Sequence, residues 1–211
     1  MKKLIFIALA TAGLGFAAPA LAADQVPAAA ETAKTPGIPA AILTKLRKGC
    51  CNIYFRHGMT PNYLDPGEGE DDNCSTQRNL SKEGIAQMKA VGEAFFDLEI
   101  PVGVVRASPM CRGKDTARYA FGRYDIDDNL RLTGSSPESN AREARQWRYL
   151  RAIGKVVPLA GTNSVFVSHG TVGDAFGAGY LDEGEAVVIE PDSFGGWKLL
   201  MRVKSNMWHG D

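Results

Sequence analysis

Apolar and polar positions along this 211-residue chain fall into short alternating blocks. From Ala40 onward the pattern is globular, and its spacing predicts a short helix over Ala40 to Arg47 and a strand over Cys51 to Arg56. Ser81 reads as the N-cap of a helix to about Leu98, with Ile85, Met88, Val91 or Gly92, and Phe95 on its apolar face. Ile100-Pro101 breaks that helix, and Val102 to Ala107 reads as a strand. Ser108-Pro109 predicts a helix start, an N-cap hydroxyl followed by a proline where the missing N–H costs nothing. This helix runs to about Phe121. A further helix is predicted from Ser136-Pro137 to Ile153, with Ala144, Trp147, Leu150 and Ile153 at helical spacing and Gly154 as its stop. Strands near Ser164 to Ser168, Glu185 to Glu190 and Trp197 to Val203 complete the series. Such alternation predicts an α/β layered fold with a largely parallel sheet.

Two earlier stretches do not fit that pattern. Met1-Lys2-Lys3 is a short cationic start, Leu4 to Ala18 is an apolar run, and Ala20-Leu21-Ala22 offers small residues where a signal peptidase reads. Residues 1–22 therefore read as a cleaved signal peptide, with the periplasm as the expected destination. Residues 23–39, rich in Ala and Pro and without periodicity, read as a flexible leader. Residues 40–211 form one domain, within the usual size range. Hydrophobic content of 45% and charged content of 23% are ordinary for a globular protein. Acidic and basic side chains balance at 24 each with no basic block, so charge gives no argument for a nucleic-acid partner.

Composition matters most through its rarest reactive residues. The chain has three histidines, and two of them end apolar runs and precede a glycine: Tyr54-Phe55-Arg56-His57-Gly58 and Val167-Ser168-His169-Gly170. Two strands ending this way present two imidazoles on one edge of a sheet, where open α/β folds place their sites. A third strand end carries Ser108-Pro109-Met110-Cys111-Arg112, with Arg112 in the first turn of a helix, where free N–H groups favour an anion. Arg56 and Arg112 can fork onto phosphate oxygens, and Gly58 and Gly170 let the backbone approach a ligand closely. Together these residues describe a phosphoryl pocket with a nucleophilic imidazole inside it.

With these pieces in order, the sequence resembles the histidine phosphatase superfamily, whose members include cofactor-dependent phosphoglycerate mutases and many phosphatases. The matching segments are Arg56-His57-Gly58, Gln77 to Gly84, Ala107 to Arg112 with Thr116-Ala117, and Ser168-His169-Gly170, spread over Leu46 to Trp208. The resemblance implies a three-layer α/β/α sandwich of the phosphoglycerate mutase type. It implies that His57 attacks phosphorus, that Arg56, Arg112 and His169 hold the equatorial oxygens, and that Arg78 approaches the same pocket. It further implies a metal-independent, cofactor-free phosphomonoester hydrolase of the small exported bacterial kind, acting on a phosphorylated small molecule or sugar.

One family element is missing. Mutase-like members carry a glutamate after a leucine beyond the second arginine, as proton donor to the leaving group; Asn129-Leu130-Arg131-Leu132 here has no carboxylate in that slot. Glu138 is the preferred substitute, ahead of Glu143, Asp128 and Asp174. The alternative to an enzyme is a non-catalytic phosphate- or phosphosugar-binding protein with a degenerate site. If the Gln77-Arg78 and Cys111-Arg112 segments converge on the pocket, a Cys74–Cys111 disulfide becomes reasonable, leaving Cys50 and Cys51 as free thiols or a vicinal pair. The acidic run Glu68 to Asp72 reads as a solvated loop, Trp147 and Trp197 as packing residues, and His209 as exposed.

Overall fold

The computed structural model describes residues 36–62, 73–132 and 137–209, without the side chains of 137–139. The signal-peptide stretch, most of the leader, the run Glu68 to Asp72 and the Glu138 side chain lie outside the described residues. Helix α1 spans Ala40–Lys48, strand β1 Asn52–Arg56, α2 Lys82–Asp97, β2 Val102–Ala107 and α3 Cys111–Phe121. They are followed by β3 (Asp125–Ile126), α4 (Pro137–Gly154), β4 (Asn163–Ser168), α5 (Val172–Ala175), β5 (Ala186–Pro191) and β6 (Trp197–Val203). The six strands form one sheet in the order β3-β2-β4-β1-β5-β6. Pairings β3–β2, β2–β4 and β4–β1 are parallel, and only β5 runs against the rest.

Side-chain alternation along the strands builds two cores. Ile53, Phe55, Val165, Val167, Ala186 and Val188 face one side, where Leu43 and Leu46 of α1, Met88, Val91 and Phe95 of α2 and Ala117 of α3 cover them. Tyr54, Phe166, Val187 and Ile189 face the other, against Leu150 of α4 and Val172, Ala175 and Phe176 around α5. Helices on both faces of a mostly parallel sheet confirm the α/β/α sandwich. Trp208, which sequence spacing left unassigned, is fully buried against Phe95 and Phe55, at ring-centroid distances of 4.6 and 6.1 Å.

Several boundaries move for identifiable reasons. Gly37 N–H donates to the Met207 carbonyl and Ile38 is buried, so the fold already includes residues read as leader. On α2 the buried stripe is Gly84, Met88, Val91 and Phe95, with Ile85 only partly covered, because the backbone of Met59 lies directly on Gly84. On α4, Ala144 is exposed and Gln146 is buried in its place, donating to the carbonyls of Asn129 and Arg131. Trp147 and Trp197 pack on the second core as expected. His209 is half-buried rather than exposed.

Candidate active site

Strand register brings the two His-Gly segments together. Arg56 pairs with Ser168 across β1 and β4, and His57 N–H continues the ladder to the Ser168 carbonyl at 3.0 Å. His57 and His169 therefore leave the sheet side by side, their rings 5.5 Å apart and at 65°. Ala107 pairs with Val167 on the other side of β4, which sets Ser108 in the same row. Both imidazoles are buried, at 2% and 3% exposure.

Hydrogen bonding fixes the His57 tautomer. Nδ1 lies 2.9 Å from the Gly58 carbonyl, which can only accept, so Nδ1 carries the proton and Nε2 keeps a lone pair. Burial, with the charges of Arg112, Arg56 and Arg78, pushes the His57 pKa down to about 3. His169 is moved well below its usual value, again by burial first and then by His57 and the same three arginines. Its Nε2 meets Ser108 Oγ at 3.0 Å. Ser108 Oγ also accepts Met110 N–H at 3.3 Å, which anchors the hydroxyl beside the imidazole. The Nδ1 of His169 is buried with no protein partner among the described residues.

Cations surround this pair. Arg112, fully buried in the first turn of α3, donates to the Arg78 carbonyl at 3.4 Å. Arg56 donates to the Leu181 carbonyl at 2.8 Å, reaches Glu183 at 3.4 Å, and lies 5.0 Å from the Tyr180 ring centroid. All five of His57, His169, Arg56, Arg112 and Arg78 thus meet at one end of the sheet. The Arg78 segment is held there by the Cys74–Cys111 disulfide and by Gln77, whose side-chain oxygen accepts the first N–H of α3 from Cys111 at 2.8 Å.

One sequence reading is corrected. The helix begins at Cys111 with Met110 before it, and Ser108 is not its N-cap; Gln77 and the disulfide hold that end, which frees the serine for His169. The glycines are demanded by neighbours. A Cβ on Gly58 would sit 2.8 Å from Met88, and its N–H is already donated to Thr116 Oγ1 at 2.9 Å; a Cβ on Gly170 would sit 2.3 Å from the Tyr180 ring. Of the two alternatives for Cys50 and Cys51 the vicinal pair is the one found: they are bonded to each other just before β1.

Two carboxylates near the expected acid slot, Asp127 and Asp128, are otherwise engaged. Asp127 caps the turn Asp128–Leu130 and contacts Tyr149 and Arg106. Asp128 faces solvent and pairs with Arg131. Glu143 is half-buried beside Asn140, Ala144 and Trp147 in a cleft of about 220 Å³. Among the described residues no group of His, Cys, Asp and Glu side chains could hold a metal ion. A larger groove of about 480 Å³ lies between α2 and the far end of α3, beside Phe96 and Tyr119, roughly 10 Å along the helix from Arg112.

The sheet order and the paired strand ends define a class: the phosphoglycerate mutase-like α/β fold on which histidine phosphatases are built. The particular likenesses are to solved structures. The protein histidine phosphatase SixA complexed with tungstate is 15% identical with a TM-score of 0.52, covering 74% of this chain and 97% of that one. An Escherichia coli protein described as a putative alpha-ribazole-5'-P phosphatase is 14% identical with a TM-score of 0.54, covering 74% and 98%. A phosphoserine phosphatase from Entamoeba histolytica in complex with phosphoserine is 16% identical with a TM-score of 0.52, covering 74% and 98%. No family model and no curated protein matches the sequence.

Proposed function

We propose that this protein is an exported phosphomonoester hydrolase that works through a phosphohistidine on His57. The observation that carries the reading is His57 itself: buried, kept neutral, its Nδ1 proton tied to Gly58 and its Nε2 lone pair free, with three arginines around it. Nε2 attacks phosphorus; the N–P bond forms as the bond to the leaving oxygen breaks. Arg56, Arg112, Arg78 and His169 take the charge on the phosphoryl oxygens. Water then attacks phosphorus, the N–P bond breaks, and inorganic phosphate leaves. The three guanidiniums supply the positive charge, so turnover requires no metal.

The leaving oxygen needs a proton, and we assign it to Glu138 in the first turn of α4. Gln146 fastens this helix to the Asn129–Arg131 segment, whose Leu130 carbonyl accepts the Ser168 hydroxyl at 2.8 Å, immediately before His169. Two disulfide pairs suit an oxidising compartment and support the assignment to the periplasm. The phosphatases that share the fold support the reaction class.

The test is mixing purified protein with 4-nitrophenyl phosphate and mapping the acid-labile, alkali-stable phosphate. Labelling of His57, lost in His57→Ala together with phosphate release, is the expected result; turnover that survives this substitution overturns the nucleophile. Glu138→Gln should impair alkyl phosphates far more than 4-nitrophenyl phosphate, whose leaving group needs no proton. The occupied state of Asp127 and Asp128 favours the alternative of a phosphate-binding protein, for which His57 would label once without release.

A further inference from the structure

We propose that Tyr180 is the platform on which the leaving group rests, selecting phosphate esters whose leaving group presents a ring face, a sugar or an aryl ring, over acyclic ones. This rests on the hydrolase reading above and adds a substrate class to it. Tyr180 is 57% exposed, although Leu181 beside it is fully buried. Its ring lies against Gly170, the residue after His169, and 5.0 Å from the guanidinium carbon of Arg56. One aromatic side chain therefore borders two of the pocket's segments and still opens to solvent.

Exposure here does not come from a loose backbone. Arg202 donates to the carbonyls of Ala178 at 2.8 Å and Tyr180 at 3.1 Å, and its Nε reaches Glu185 at 2.8 Å. Leu181 N–H donates to the Gly170 carbonyl at 3.1 Å, and the Leu181 carbonyl accepts Arg56. The ring is thus presented from a segment fastened on both sides, with little ordering left to do on binding. A group esterified to a phosphoryl held by Arg56 emerges beside that ring. The electron-rich face of tyrosine attracts the C–H bonds of a sugar or aryl ring, and an acyclic chain offers it less surface.

The experiment compares kcat/KM for 4-nitrophenyl phosphate and glucose 6-phosphate with that for glycerol 3-phosphate, in the natural protein, Tyr180→Phe and Tyr180→Leu. Leucine fills the space on Gly170 without the aromatic face. The ratio of ring to acyclic kcat/KM should fall roughly 2- to 10-fold in Tyr180→Leu, through KM, and hold within about twofold in Tyr180→Phe. Equal losses on both classes, or a phenylalanine variant as impaired as the leucine one, overturn the assignment. His57 phosphorylation is measured in the same samples. Its absence from the natural protein overturns the hydrolase reading as well; its presence with an unmoved ratio overturns the Tyr180 assignment alone.

Discussion

Lowering the pH from 7 to 5 protonates nearly every ordinary histidine, since an imidazole of pKa near 6.5 is only about 3% neutral at pH 5. His57, held at about 3 by burial and the adjoining arginines, stays about 99% neutral there. A nucleophile with an ordinary pKa would lose about 25-fold of its reactive form over this interval, and His57 should lose almost none. Single-turnover phosphorylation by 4-nitrophenyl phosphate, corrected for the substrate's own ionisation, reads that difference. Imidazole NMR reads it directly, because three histidines give three ring signals that His57→Ala and His169→Ala assign. The same shift has a stability consequence. The folded pKa lies below the unfolded one, so the unfolded chain binds more protons in acid. Stability is full above about pH 6.5 and is lost as the pH falls towards 3, by about 2.5 kcal/mol from His57 alone between pH 7 and 4.5. His169 acts in the same direction. A His57 titration midpoint above about pH 5, or urea stability that is flat from pH 7 to 4.5, refutes the reasoning.

Other perturbations test the supports of the site. Cys74→Ser with Cys111→Ser opens a loop spanning 37 residues and should cost about 4 kcal/mol in urea denaturation, with a higher KM because Arg78 rides on the released segment. Ser108→Ala removes the partner of a buried imidazole and should lower kcat/KM by roughly 5- to 150-fold, the equivalent of about 1–3 kcal/mol, with the fold intact by circular dichroism. Gly84→Ala places a Cβ 2.0 Å from the Met59 carbonyl oxygen and should lower the denaturation midpoint by the equivalent of about 1–3 kcal/mol. Arg112→Met removes one of the three guanidiniums around His57 and should keep the fold by circular dichroism. It should also abolish the thermal shift that phosphate gives, about 2.7 kcal/mol at one hundred times Kd in the natural protein.

Periodic elements were legible in the residues because their signals are local. Ser81 caps α2 through Gly84 N–H at 3.0 Å, and β2 and β6 have the ends that alternation and turn residues predict. The pairing of His57 with His169 was also readable, because two parallel strands that end alike need only adjacency to bring their last residues together. Tertiary contacts decided the rest. Ser108 carries every local mark of an N-cap, but Gln77, more than thirty residues earlier in the chain, takes the N–H at the start of α3. Strand β3 has two residues and α5 four, too few to show a period. Tyr180 and Arg202 follow the last recognisable motif, and no pattern marks a tyrosine as exposed when the residue next to it is buried.

The way the arginines are held bears on why the pocket should favour a phosphate. Arg56 and Arg112 are oriented by carbonyls, those of Leu181 and Arg78, which fix a guanidinium through a dipole and leave its net charge in place. Glu183 is the exception near Arg56, at 3.4 Å, and it also accepts the Thr60 backbone N–H at 3.0 Å and hydroxyl at 2.6 Å. Because both imidazoles stay neutral, they add no further repulsion and keep lone pairs where protonation would remove them. The arginines that, after burial, depress the His57 pKa are the groups that would bind the phosphoryl oxygens beside it, so in the proposed reaction the same residues would keep the nucleophile neutral and hold its target.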